Sequence, residues 1–186
     1  MKMRRLSYVA TIVGLALVSS GCGYNTMVSL KEQIDAAWAQ VENQLQRRND
    51  LIPNLVSVTQ GYAKHEREIF TRVAEARSQL IGAGTRAAKI EAAENLGSAL
   101  SRLLAIAENY PQLKADTQFA RLSDELAGTE NRIATERRRY NETVQQYNTY
   151  IKRLPQMLIA RSFGFEPEPY FEAAKEAQQV PKVSFE

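Results

Sequence analysis

Cysteine and histidine are nearly missing from this chain, which has one of each in 186 residues. A lone Cys22 excludes an internal disulfide, and with only His65 to join it no Cys/His cluster can hold zinc. His65-Glu66 lacks the second histidine of a metalloprotease helix. No glycine-rich phosphate loop, no Gly-x-Ser-x-Gly elbow and no paired-Asp calcium loop occurs. An excess of charge is missing as well. The chain counts 24 Lys and Arg against 21 Asp and Glu, but Lys2, Arg4 and Arg5 precede Cys22 and no acidic residue does, so 21 of each remain beyond it. A neutral body lacks the basic face that nucleic-acid binding needs. These absences point away from catalysis, from a cofactor or metal, and from nucleic acid.

What is present begins at the N-terminus. Lys2, Arg4 and Arg5 lead into an apolar run at 8–18, then Ser19-Ser20-Gly21-Cys22. A basic start, a short apolar core and a small-residue exit make a secretory signal. The run is short of the ~20 residues a spanning helix needs. Its Gly-Cys ending resembles a bacterial lipoprotein processing site, where the cysteine becomes the first residue and carries acyl chains such as palmitate. Ser19 stands where that pattern usually has Leu, so an uncleaved anchor remains the alternative. Either form tethers the chain to a membrane with its body on the periplasmic or extracellular side. Gly23 after Cys22, rather than Asp, suggests the outer membrane in a Gram-negative cell. The expected organisation is a signal at 1–21, a membrane-proximal anchor at 22–27, a helical bundle at 28–165, and a short helix and tail at 166–186.

The body is organised by a heptad stripe. Ile34, Trp38, Val41, Leu45, Ile52, Leu55, Tyr62, Ile69, Val73, Ala76 and Leu80 follow alternating steps of four and three. Such a period keeps one face of a helix against partner helices. It predicts a first helix over 28–81, about 80 Å long if unbroken and kinked at Pro53, where a proline removes a hydrogen bond. A full break at Pro53, giving four helices of more equal length, is the alternative. Gly82-Ala83-Gly84-Thr85 stops that helix. A second runs over 86–109 on Ile90, Ala93, Gly97, Leu100 and Leu104, hairpinned to the first. After an extended 110–116, with Asp116 or Thr117 as cap, a third runs from Phe119 to Leu154, where Pro155 ends it. A further short helix is expected at 170–177. The fold class is all-α, a long antiparallel up-and-down bundle of three long helices with a short C-terminal fourth.

A few polar residues occupy the stripes, and these are the candidate sites. Arg48, Glu66 and Glu136 sit at seam positions, where polar groups fix register and partner choice. Arg48 is expected to bury its stem and pair with Glu130 or Glu136. Glu66 and Glu136 are the carboxylates that two helices could bring together. Arg47, Asp50 and Asn54 lie on the outward face beside Pro53 and are the expected partner surface. Tyr140-Asn141 and Tyr147-Asn148 recur one heptad apart, with rings packed and hydroxyls at the bundle edge.

Tyr24-Asn25, Trp38, Arg48-x-Asp50-Leu51-Ile52-Pro53-Asn54-Leu55, Tyr62-Ala63-x-x-Glu66, Ala107-Glu108-x-Tyr110-Pro111, Thr129-Glu130-Asn131-Arg132-Ile133-Ala134, Tyr140-Asn141, Tyr147-Asn148 and Phe163-Gly164-Phe165 together resemble the LemA family. The resemblance covers nearly the whole body in order. It implies a membrane-anchored, antiparallel helical bundle facing away from the cytoplasm, with no catalytic residue to carry over. Family members often carry an N-terminal membrane segment, whereas this chain looks lipid-anchored. The expected role is an interaction or scaffold protein of the cell envelope, with a protein partner and self-association as its contacts. An accessory subunit of a membrane enzyme such as a metalloprotease, or a lipid-binding envelope-remodelling protein, is the alternative.

Overall fold

A computed structural model describes residues 2–171, with side chains from residue 23 onward. All regular structure among them is helical, as the stripes predict. The helices are α1 (Lys2–Tyr62), α2 (Arg67–Gly82), α3 (Arg86–Ala105), α4 (Pro111–Lys114), α5 (Thr117–Lys152) and α6 (Gln156–Phe163), with a 3-10 turn at Ile106–Asn109. The expected signal at 1–21 and the expected acylation site at Cys22 fall where side chains are not described. Among the described residues no helix is long and apolar enough to cross a membrane. The short helix expected at 170–177 lies largely outside the described residues.

The first helix corrects the sequence reading. It runs through Pro53 without ending, but stops at Tyr62 rather than near Ile81. Its stripe becomes polar at Thr59 and Glu66, and Gly61 weakens the helix between them. Ala63 turns inward and is fully buried, its amide bonded to the Thr59 carbonyl at 2.9 Å and its own carbonyl accepting from the Glu66 amide at 3.1 Å. The four-residue connector at 63–66 occupies one long heptad step, so the spacing reads straight through a real turn. Tyr62, expected in the core, is instead 41% exposed. The segment after Tyr110 is a helical turn rather than extended, because Pro111 presets the dihedral of a first helical residue.

The chain folds as two compact units, with α1 and α5 each contributing to both. Unit two comprises residues 40–137 together with Phe171 among the described tail residues. It is an up-down-up-down four-helix bundle. α2 turns back along α1, placing Arg77 on Asn49. α3 then runs beside α1 in the same direction, with Lys89 on Glu42 and the Ala93 carbonyl on Arg48. α5 returns antiparallel, with Asp116 at Tyr62 and Glu130 at Arg48. The core is Leu45, Ile52, Leu55, Phe70, Val73, Leu96, Leu100, Leu103, Leu122 and Ile133. Thr85 caps α3, its hydroxyl accepting from the Ala88 amide at 3.2 Å.

Unit one holds residues up to Ala39 and 138–170. The first part of α1 packs antiparallel on the end of α5, with Ile34, Trp38, Tyr140, Val144, Tyr147 and Ile151 buried between them. The two tyrosines and Asn148 clamp an extended strap. Tyr140 Oη donates to the Pro169 carbonyl and Tyr147 Oη to the Glu166 carbonyl, each at 2.9 Å. Asn148 takes both backbone groups of Glu168, donating to its carbonyl and accepting from its amide at 2.9 Å. α6 ends on Gly164, whose φ of 72° is left-handed and suits glycine.

Candidate interaction surface

Arg48 lies in the seam of unit two at 2% exposure. Its Nη1 donates to Glu130 Oε2 at 2.9 Å and its Nη2 to the Ala93 carbonyl at 3.0 Å, while Nε has no partner. The small residues Ala93 and Gly97 make room for it: a Cβ built on Gly97 would sit 3.9 Å from Nη1. Arg137 completes the group, reaching Glu94 at 3.5 Å and lying 3.9 Å over the Phe171 ring. Burial, joined by the charge of Arg48, pushes the Arg137 pKa down, while Glu94 and Glu130 hold it up. A buried cation on two acceptors pins α1, α3 and α5 in one register. This is an arrangement for holding helices, and its acceptors are already committed.

Glu66 is placed elsewhere. It occupies the N-cap position of α2 and accepts from the Tyr110 hydroxyl at 3.2 Å. Beside it the Tyr62 hydroxyl donates to Asp116 Oδ2 at 2.8 Å. Asp116 also caps α5, accepting from the amides of Gln118 and Phe119 at 2.9 and 2.8 Å. Glu136 sits twenty residues along α5 from Asp116, about 30 Å at 1.5 Å per residue. The structure does not bring Glu66 and Glu136 together. Among the described residues no cluster of three His, Cys, Asp or Glu could hold a metal ion.

Asp116 carries a pH prediction. The Phe119 amide, the Tyr62 hydroxyl and the Gln118 amide hold its carboxyl below its ordinary pKa, against an opposing effect of desolvation. A depressed carboxylate contributes stability that is present above the unfolded pKa and lost as pH falls through the folded one. Below the ordinary carboxylate range the first turn of α5 should therefore fray. Hydrogen exchange at Phe119 is expected to accelerate there relative to mid-α5 amides, and Asp116→Ala should remove the pH dependence. Equal protection of both regions at low pH would refute the cap.

Arg47, Asp50 and Asn54 stand together on the exposed side of α1. The Gln46 amide donates to Asp50 Oδ1 at 2.7 Å. Between α1 and α2 lies an open apolar cleft of about 340 Å³. Ile52, Pro53 and Val56 form one wall and Phe70, Val73, Ala74 and Ile81 the other, with Arg77 and Ser78 at the edge. Arg77 Nε is held by Asn49 Oδ1 at 3.1 Å. Ile81 is 63% exposed at the cleft mouth. Sequence reasoning marked the polar residues of α1 but missed the cleft, because it placed 53 and 81 on one continuous helix kinked at Pro53. The polarity of Asn49 in the inward phase was the available signal.

The LemA family profile matches residues 37–185. Magnetosome proteins MamQ 2 and MamQ 1 of Paramagnetospirillum magneticum are each 30% identical over 96% of this chain and 73% of their own length. Magnetosome protein MamQ of Magnetospirillum gryphiswaldense is 29% identical over 89% of this chain and 69% of its own.

Proposed function

The chain belongs to the LemA family, and from that premise we propose that it is a membrane-tethered interaction protein of the cell envelope that works by binding, without catalysis. The tether is the N-terminal segment, acylated at Cys22 or retained as a helix. The observation that carries the reading is the cleft between α1 and α2. An apolar groove beside a polar rim, with one large side chain exposed at its mouth, is the form of a site for an anchor residue of a protein partner. Arg77 and Ser78 supply the polar edge of the groove, and Arg47, Asp50 and Asn54 extend the surface along the exposed side of α1. The likeness to MamQ proteins, which spans most of both chains, supports a membrane-associated role.

The test replaces Arg47, Asp50 and Asn54 together by alanine in the full chain. All three are exposed, so each should change stability by less than about 0.5 kcal/mol. Unchanged helicity and melting with loss of the partner recovered from mild-detergent membranes is the expected result. Undiminished recovery removes this surface from the account. If the recovered partner is one membrane enzyme, the protein is its accessory subunit.

A further inference from the structure

We propose that α6 and its flanks form a second membrane contact, a patch that lies on an anionic lipid surface. The inference rests on the tether just described. Within unit one, α6 packs on the residue directly after Cys22: a Cβ on Gly23 would lie 3.0 Å from Ile159 Cδ1. The Tyr24 ring stands 5.0 Å from Phe163 and 5.6 Å from Phe165. α1 is unbroken through this point. Acylated at Cys22 or inserted as a helix, the tether therefore sets Gly23 at the bilayer surface, and α6 goes with it.

The chemistry of the patch matches that position. Leu154, Leu158 and Phe163 are 70%, 59% and 64% exposed. Leu158 and Arg161, three residues apart, share one face of α6, and Leu154 stands in the turn just before it. Lys152, Arg153 and Arg161 surround these apolar groups, all exposed, and no Asp or Glu occurs between residues 143 and 165. Apolar side chains within a basic border, with aromatic rings at the same level, are what a peripheral segment presents to a bilayer interface. Each cation near an anionic surface strengthens attachment about fivefold. A water-facing site would gain nothing from three large exposed apolar side chains on one short helix and the turn before it.

The experiment uses the full chain purified from membranes and reconstituted into phosphatidylcholine vesicles with and without phosphatidylglycerol. Leu158→Trp is read against the parent chain, whose Trp38 is buried, and Glu142→Trp serves as an exposed control. Flotation with the vesicles reports the tether, and quenching by lipids brominated high on the acyl chain reports the patch. The expected result is a floating protein whose residue 158 reporter is quenched and blue-shifted in phosphatidylglycerol vesicles while that at 142 is not. Changing Lys152, Arg153 and Arg161 to Gln should lower the ratio of quenched to unquenched reporter about fivefold per residue. Flotation without quenching at 158, or equal quenching at 142, overturns the patch and leaves the tether standing. A chain that does not float overturns the tether and the patch with it.

Discussion

Replacing Trp38 by alanine is expected to destabilise unit one by about 4 kcal/mol, the cost of emptying a large aromatic site in a packed core. Trp38 is 6% exposed and its ring lies 5.3 Å from that of Tyr140 at a tilt of 60°. Tilted pairs of this kind add about 1 kcal/mol beyond area burial. Tyr140 is fully buried and holds the strap through the Pro169 carbonyl, so a void beside it also loosens the strap. In a domain of this size such a loss lowers the melting temperature by about 10 °C. Trp38→Phe keeps the stack and should cost about half as much. Circular dichroism follows both variants, since the fluorescent reporter is itself removed. A Trp38→Ala melting curve within a degree or two of the parent would mean that the α1–α5 seam of unit one is not packed as described.

Arg48→Ala should cost unit two about 3 kcal/mol, for a different reason. The stem leaves a void against Ala93 and Gly97, and the Ala93 carbonyl loses the donor it holds in addition to its intrahelical one, worth about 1 kcal/mol. The Glu130 side chain is 51% exposed, so water solvates it and the ion pair itself adds little. Glu130→Ala is the harsher test of the charge. It leaves a guanidinium buried at 2% exposure with one neutral acceptor, near the like charge of Arg137. A cost of about 2–4 kcal/mol follows. Arg48→Met combined with Glu130→Gln removes the charge from both partners and should return to within about 1 kcal/mol of the parent. Chemical denaturation of the four variants checks the ordering. If Arg48→Ala melts with the parent, Arg48 is a surface residue and the register of α1, α3 and α5 is wrong.

Much of the fold could be read from spacing because the buried residues are the stripe residues: Ile34, Trp38, Val41, Leu45, Ile52, Leu55, Val73, Ala76 and Leu80 are all inside. The stop at 82–85 was legible because its glycines and Thr85 have local geometric roles. The turn at 63–66 was not, since four residues preserve heptad phase and Gly61 alone is weak evidence of a break. α6 is legible only as a short apolar piece, because its eight residues span little more than two helical turns. For Arg48 the sequence left Glu130 and Glu136 as acceptors. They are six residues apart and thus on different faces of α5, and only the antiparallel register distinguishes them. The strap was out of reach for a related reason. Tyr140, Tyr147 and Asn148 bond to backbone carbonyls, which every residue possesses. The cleft depends on α2 folding back on α1, so it became visible only with that turn.

The claim that this protein works by binding at the α1–α2 cleft is tested most directly by site-specific photocrosslinking from Ser78, an exposed residue at the cleft edge. The crosslinker is placed in the full chain in its own membranes. Ala120, exposed on α5, serves as the control position. The account predicts one discrete adduct from position 78, absent from position 120 and lost when Ile81 is changed to Arg to block the cleft mouth. The same adducts from both positions, or a position 78 adduct that survives Ile81→Arg, would contradict it.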